Sequence, residues 1–229
     1  MNLQGLQKTT LLDYPGKVAA TIFFGGCNFR CPFCHNALVV YEEEQSLDEN
    51  EVLAFLDKRK KILDGVCITG GEPLLQQELP SFLQKIKNLG LLVKLDTNGS
   101  FPDRLQNLIE QQLVDYVAMD IKNAPSRYAE TAGVKAAPLS DITRSVDLIR
   151  SAMPAYEFRT TVVRELHSAK DFSAIADWLA GDSPYFLQPF VDSGNLIREG
   201  LHAPTDEQMR EYLAIVRDKL PNAAIRGME

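Results

Sequence analysis

The sequence predicts an α/β protein built on a parallel sheet, and three observations carry that prediction. Six short apolar runs read as buried strands: Val18–Phe24, Gly65–Thr69, Leu91–Asp96, Tyr116–Lys122, Glu157–Val163 and Tyr185–Phe190. Apolar residues at helical spacing fall between them. No linker or low-complexity stretch interrupts the alternation, so one domain is expected over residues 1–229.

Each helix is justified by its own signals. After the first strand, Ser46 with Glu49 reads as a capping box before Val52, Leu53 and Leu56. After the second, Phe82, Leu83, Ile86 and Leu89 keep helical spacing and Gly90 supplies the stop. Pro102 suits a first helical turn after the third strand. Ser140 precedes Ile142, Val146 and Ile149 after the fourth. Ser168 and Asp171 precede Phe172, Ile175, Ala176 and Leu179 after the fifth. Thr205 and Gln208 precede Met209, Tyr212, Leu213 and Val216 after the sixth. Repeated strand–helix units imply right-handed crossovers. An open doubly wound sheet and a curved partial barrel of six βα units both fit, and periodicity does not choose between them. In either, ligands bind at the C-terminal ends of the strands.

The formal net charge is −7 and Lys and Arg form no dense block, which argues against general nucleic-acid binding. Lys58 to Lys61 sits in a helical pattern and reads as a solvated face. Met1 to Asp13 is not a signal peptide, and no apolar run is long enough to span a bilayer. A cytoplasmic protein with no membrane partner is therefore expected. There, four cysteines point to metal or redox chemistry rather than structural bridges.

Three of those cysteines, Cys27, Cys31 and Cys34, have the spacing C-x3-C-x2-C on a loop opened by Gly25 and Gly26, just after a strand. Thiolates this close converge on one site and select an iron–sulfur cluster or zinc. A [4Fe–4S] cube takes four thiolates as a rule, so three leave one iron open for a ligand. His35 would complete a Cys3His zinc site, as in a non-catalytic zinc module, and Cys31 to His35 also fits the haem-attachment spacing. Cys67, inside an apolar strand, reads as a small core residue.

The cysteine spacing, with the aromatic Phe33 before the last cysteine, resembles the signature of the radical S-adenosylmethionine (SAM) enzymes. That resemblance implies the partial (βα)6 TIM-like barrel, a [4Fe–4S] cluster on Cys27, Cys31 and Cys34, and SAM bound at the open iron with Phe33 near its adenine. Thr69-Gly70-Gly71-Glu72-Pro73 resembles the family's motif for the SAM amino group, assigned here to Gly70, Gly71 and Glu72.

Leu95-Asp96-Thr97-Asn98-Gly99 and Met119-Asp120-Ile121-Lys122 resemble the activases of glycyl-radical enzymes. Asp96, Thr97, Asp120 and Lys122 would then line the SAM site, and the acidic pair would share a monovalent cation with the SAM carboxylate. Arg159 falls where activases carry an arginine near SAM, although no Pro-Gly follows the strand. Gln188, at the end of the sixth strand, would bond the ribose or adenine. Leu11 to Lys17 and Cys34-His35-Asn36 bring the resemblance closest to activators of anaerobic ribonucleoside-triphosphate reductase. The implied partners are a glycyl-radical enzyme and a flavodoxin- or ferredoxin-type electron donor. A rival within the family acts on a small molecule, in the manner of 7-carboxy-7-deazaguanine synthase. Against it stands the absence of a further cysteine cluster, since only Cys67 remains.

Overall fold

The computed structural model describes residues 1–41 and 46–228. The chain gathers into two compact units that interleave in sequence. The first takes Met1–Asn28, Leu38–Ala118 and Asp141–Ala155; the second takes Phe29–Ala37, Met119–Ser140 and Tyr156–Glu229.

The first unit holds strands β1 (Leu3–Thr10), β2 (Ala19–Phe24), β3 (Gly65–Gly70) and β4 (Leu92–Thr97). β2, β3 and β4 pair in parallel, as their continuous apolar sequences predict. β1 was not anticipated. It pairs antiparallel with β2, in the register Leu6 to Ile22, and its exposed Gln7, Lys8 and Thr9 mask the strand pattern. Helices α2 (Glu49–Arg59), α3 (Leu79–Asn88), α4 (Pro102–Glu110) and α6 (Leu139–Ala152) contribute Leu56, Phe82, Ile86, Leu105 and Ile149 to the buried core. Phe82 meets Phe24 edge-on at 6.0 Å between ring centres. Each such side chain contributes about 1.5–3 kcal/mol when fully buried.

One expected cap is corrected. Asp48, not Ser46, caps α2: its carboxylate accepts from Asn50 N at 2.8 Å and Glu51 N at 3.1 Å. A capping side chain must sit directly before the first helical residue, and that residue is Glu49. Ser140 precedes Ile142, Val146 and Ile149 as expected, from inside the first turn of α6. Pro102 opens α4 as expected.

Strand β5 (Tyr116–Asp120) passes from the first unit into the second, which continues with β6 (Tyr156–Val162), β7 (Tyr185–Pro189) and β8 (Ala223–Ile225). Within each unit strand order follows chain order, β1-β2-β3-β4 in the first and β6-β7-β8 in the second. β6, β7 and β8 pair in parallel. The three-residue β8 is too short to leave a periodicity in the sequence. Helices α7 (Ala169–Leu179) and α8 (Asp206–Arg217) both begin with the capping boxes expected, Ser168 with Asp171 and Thr205 with Gln208. They pack Phe172 against Tyr212, stacked at 4.6 Å. Two short helices, α1 (Ala37–Val40) and α5 (Tyr128–Ala132), carry no periodic signal of their own.

β8 is clasped to the start of β6. Arg226 makes paired bonds of 2.8 and 2.7 Å to the fully buried carboxylate of Glu157, and its guanidinium lies 3.9 Å above the Phe186 ring.

Candidate active site

In the first unit the predicted residues meet at the ends of β2, β3 and β4. The turn after β3 is drawn against the turn after β2: Gly71 N donates to Phe24 O at 2.8 Å and Glu72 N to Gly26 O at 2.9 Å. The approach is close enough that only glycine serves. A Cβ on Gly71 would lie 1.9 Å from Gly26 O, and one on Gly70, at φ +112°, 2.4 Å from Phe24 N.

Glu72 is fully buried and its carboxylate faces donors of the chain itself. Oε1 accepts from Leu74 N at 3.1 Å and Thr97 Oγ1 at 2.9 Å; Oε2 accepts from Asn98 N at 2.7 Å. The glutamate thus fixes the turn after β3 to the end of β4. Arg104 supports the same turn, donating to the carbonyls of Leu74 and Leu75.

Asp96 is paired with Lys94, whose side chain is only 2% exposed. The Lys94 ammonium also approaches the Cys67 sulfur at 3.7 Å, so the cysteine read as inert core shares a buried polar contact. Lys94 went unassigned in the sequence because strand alternation turned it inward beside Asp96 with no motif to flag it. Below Cys27 an amide cluster forms: Asn98 Nδ2 lies 2.9 Å from Asn28 Oδ1 and 4.0 Å from Cys27 Sγ. In the sequence Asn98 reads only as the first half of an Asn-Gly turn.

The second unit carries the other predicted residues: Cys31, Phe33 and Cys34 in the segment Phe29–Ala37, Asp120 and Lys122 at and just beyond the end of β5, Arg159 in the middle of β6 and Gln188 near the end of β7. Asp120 accepts from Arg159 Nε at 2.5 Å and from Lys122 Nζ at 2.8 Å. Burial would push the Asp120 carboxyl up, but the two cations together hold it far below the usual carboxylate range. Burial likewise opposes the charge on Lys122; Asp120 and Cys31 outweigh it and keep the ammonium protonated. The Lys122 carbonyl is itself held, 2.9 Å from His167 Nε2.

Cys34 N donates to Cys31 O at 2.9 Å, which closes the turn between the second and third cysteines. Burial pushes the Cys34 thiol up, countered in part by the Asn36 backbone N–H and by Lys122. Phe33 is buried, and Arg198 N donates to Pro32 O at 2.9 Å. Gln188 is half-buried near the end of β7, opposite Thr161. Among the described residues, no three His, Cys, Asp or Glu side chains are gathered at the spacing of ligands to a single metal ion. A cubane takes each thiolate on a different iron, so its ligands stand further apart than those of one ion.

The family model for the radical SAM superfamily matches residues 21–179. The chain belongs to the radical SAM superfamily. A Methanocaldococcus jannaschii protein provisionally named a glycyl-radical enzyme activating enzyme is 31% identical over 230 residues, covering 98% of this chain and 95% of that one. A 7-carboxy-7-deazaguanine synthase of Hyperthermus butylicus is 33% identical over 180 residues, covering 78% of this chain and 71% of its own. Among solved structures, Streptococcus suis SuiB bound to S-adenosylmethionine superposes with a TM-score of 0.69 at 14% identity. The match covers 91% of this chain, which spans about half (52%) of the SuiB chain. These likenesses agree with an α/β fold on a parallel sheet.

The radical SAM family uses a [4Fe–4S] cluster and SAM, and this chain's residues fit both. Three thiols within eight residues follow a parallel strand, the donor set of a cluster with one open iron. The Gly70–Gly71 turn lies directly beside Cys27, its backbone packed on that of Gly26. Asp96 and Asp120, each held beside an internal cation, supply fixed carboxylates at strand ends. No described helix is long and apolar enough to cross a membrane.

Proposed function

We propose that this radical SAM enzyme is an activase that installs a glycyl radical on a partner protein. The supporting observation is the similarity, over nearly the full length of both chains, to the M. jannaschii protein named for that role. A pyruvate formate-lyase-activating enzyme of Clostridium pasteurianum, 32% identical over 127 residues, supports it over 53% of this chain.

In this reading Cys27, Cys31 and Cys34 hold the cluster. Bound SAM and cluster together supply reductive cleavage of SAM to methionine and a hydrogen-abstracting 5′-deoxyadenosyl radical. The chain's own residues bind and orient. Gly70, Gly71 and Glu72 are assigned to the SAM amino group, and Glu72 holds that turn in place. Asp96 and Thr97 flank it on β4. Asp120, Lys122 and Arg159 form a fixed charge group for the SAM carboxylate and the incoming peptide, with a monovalent cation able to join the acidic side. Phe33 and Gln188 are assigned to the adenosine. The proposed substrate is a glycine Cα–H in a mobile loop of the partner, an anaerobic ribonucleoside-triphosphate reductase. A flavodoxin- or ferredoxin-type protein supplies the electron.

The test is anaerobic. Reconstituted, reduced protein is mixed with SAM and the purified reductase, and EPR is recorded beside a 5′-deoxyadenosine assay. A glycyl-radical doublet appearing with one equivalent of 5′-deoxyadenosine supports the reading; SAM cleavage with no radical on any glycyl-radical enzyme tried rejects it. The similarity to the H. butylicus synthase favours a second reading, a carboxy-deazaguanine-type rearrangement of a small molecule. Turnover of such a substrate to a deazaguanine would put that reading first.

A further inference from the structure

We infer that Asn98 is a positioning residue that donates its side-chain N–H to the Cys27 sulfur and so raises the reduction potential of the cluster held there. The inference rests on Cys27 being a cluster ligand, as proposed above, and deepens that reading with a residue outside the cysteine motif.

The direction of the Asn98 amide is fixed by its neighbours. Its Oδ1 accepts from Ser100 N at 3.0 Å and from Ser100 Oγ at 2.5 Å. Two donors on one oxygen exclude the flipped amide, which would set an N–H against an N–H. Ser100 Oγ in turn accepts from Asn28 Nδ2 at 2.9 Å, leaving Asn28 Oδ1 to face Asn98 Nδ2 at 2.9 Å. The ring Asn28–Asn98–Ser100 therefore has one consistent set of proton positions. In it, the second N–H of Asn98 has the Cys27 sulfur within reach, at 4.0 Å.

The backbone is fixed as firmly. Asn98 N donates to the buried carboxylate of Glu72 at 2.7 Å, and the residue is 5% exposed. The donor is thus preorganised and shielded, conditions under which a hydrogen bond to a charged sulfur has most effect. A reduced cluster carries one more negative charge than an oxidised one. An N–H aimed at its ligand sulfur stabilises the reduced form more and eases reduction. An Asn-Gly turn needs only the backbone of Asn98; the closed amide ring is what a turn alone does not require.

The experiment uses the full chain, reconstituted anaerobically and titrated potentiometrically with EPR detection of the reduced cluster. In N98A the ratio of reduced to oxidised cluster at a fixed potential should fall about tenfold, a shift of about 59 mV for one electron. N98D keeps the acceptor toward Ser100 and replaces the donor with an oxygen, so its ratio should fall at least as far. N28A removes the competing acceptor and leaves the donor, so its midpoint should equal or exceed that of wild type. Equal midpoints for wild type, N98A and N98D at equal iron content overturn the proposal. If the wild type itself takes up no cluster, the reading of Cys27 as a ligand fails first, and that result is separately visible as the absence of any signal to titrate.

Discussion

Replacing Glu72 by glutamine tests whether its carboxylate holds the site together. The substitution preserves shape and changes only what the two terminal atoms can accept. If the glutamine oxygen takes the place of Oε1, the new NH2 opposes the Asn98 N–H and the 2.7 Å bond is lost. If it takes the place of Oε2, the NH2 opposes the Leu74 N–H at 3.1 Å, while the Thr97 hydroxyl can turn to accept. Either way one backbone N–H beside a fully buried side chain loses its acceptor. A hydrogen bond to a charged group contributes about 1.5–3 kcal/mol, and a stranded buried donor costs about 1–3 kcal/mol. Relief of the burial cost of a charge offsets part of this. A net loss of about 2 kcal/mol is expected. For a chain of this size that lowers Tm by roughly 4–8 °C. Differential scanning fluorimetry of the apo protein is the assay, with SAM binding measured on the reconstituted form. A Tm within about 1 °C of wild type would refute the reasoning, because no arrangement of the amide serves all three donors.

Three further outcomes follow from the same geometry. Gly71→Ala should cost about 3 kcal/mol, the upper end for overpacking, because its Cβ meets backbone rather than a movable side chain; limited proteolysis should find new cleavage in the cysteine loop. Burial depresses the His167 pKa, so its neutral ring contributes stability that is present above the ordinary value of about 6.5 and is lost as pH falls below it. Urea midpoints at pH 7.5 and 5.5 should therefore differ more for wild type than for His167→Gln. Arg226→Ala should destabilise by about 3 kcal/mol by uncovering the buried Glu157 carboxylate, and adding Glu157→Gln should recover part of the loss in chemical denaturation.

Much of the fold was legible because a strand covered on both faces is a largely apolar run, as in β2, β3 and β5, while β4 and β6 were recognised despite the polar Lys94, Asp96, Glu157 and Arg159 they carry. β1 was hidden by its antiparallel place at the sheet edge, where Gln7, Lys8 and Thr9 are exposed and no alternation survives. The helix caps divided on distance. Ser168 and Thr205 sit directly before their helices, whereas Ser46 stands two residues too early and Asp48 takes its place. The cysteine spacing and the strand-end acids named the candidate site. What the sequence withheld were the groups that brace it. Lys94 lies inside an apolar run, Asn98 is masked by its turn role, and the three donors on Glu72 come from two backbone amides and a hydroxyl that no motif records.

The clasp of β8 on β6 has a consequence during synthesis. Glu157 and Arg226 are 69 residues apart, and at about 5–20 residues per second the carboxylate leaves the ribosome roughly 3–14 s before its partner does. Over that interval the start of β6 has water rather than a guanidinium around its acid. The second unit is therefore expected to stay open on the ribosome and to settle late, when trigger-type holdases have most access to it. A ribosome stalled by a long spacer placed after Ala180 should carry a protease-sensitive β6, and one stalled by the same spacer placed after Gly227 a protected one.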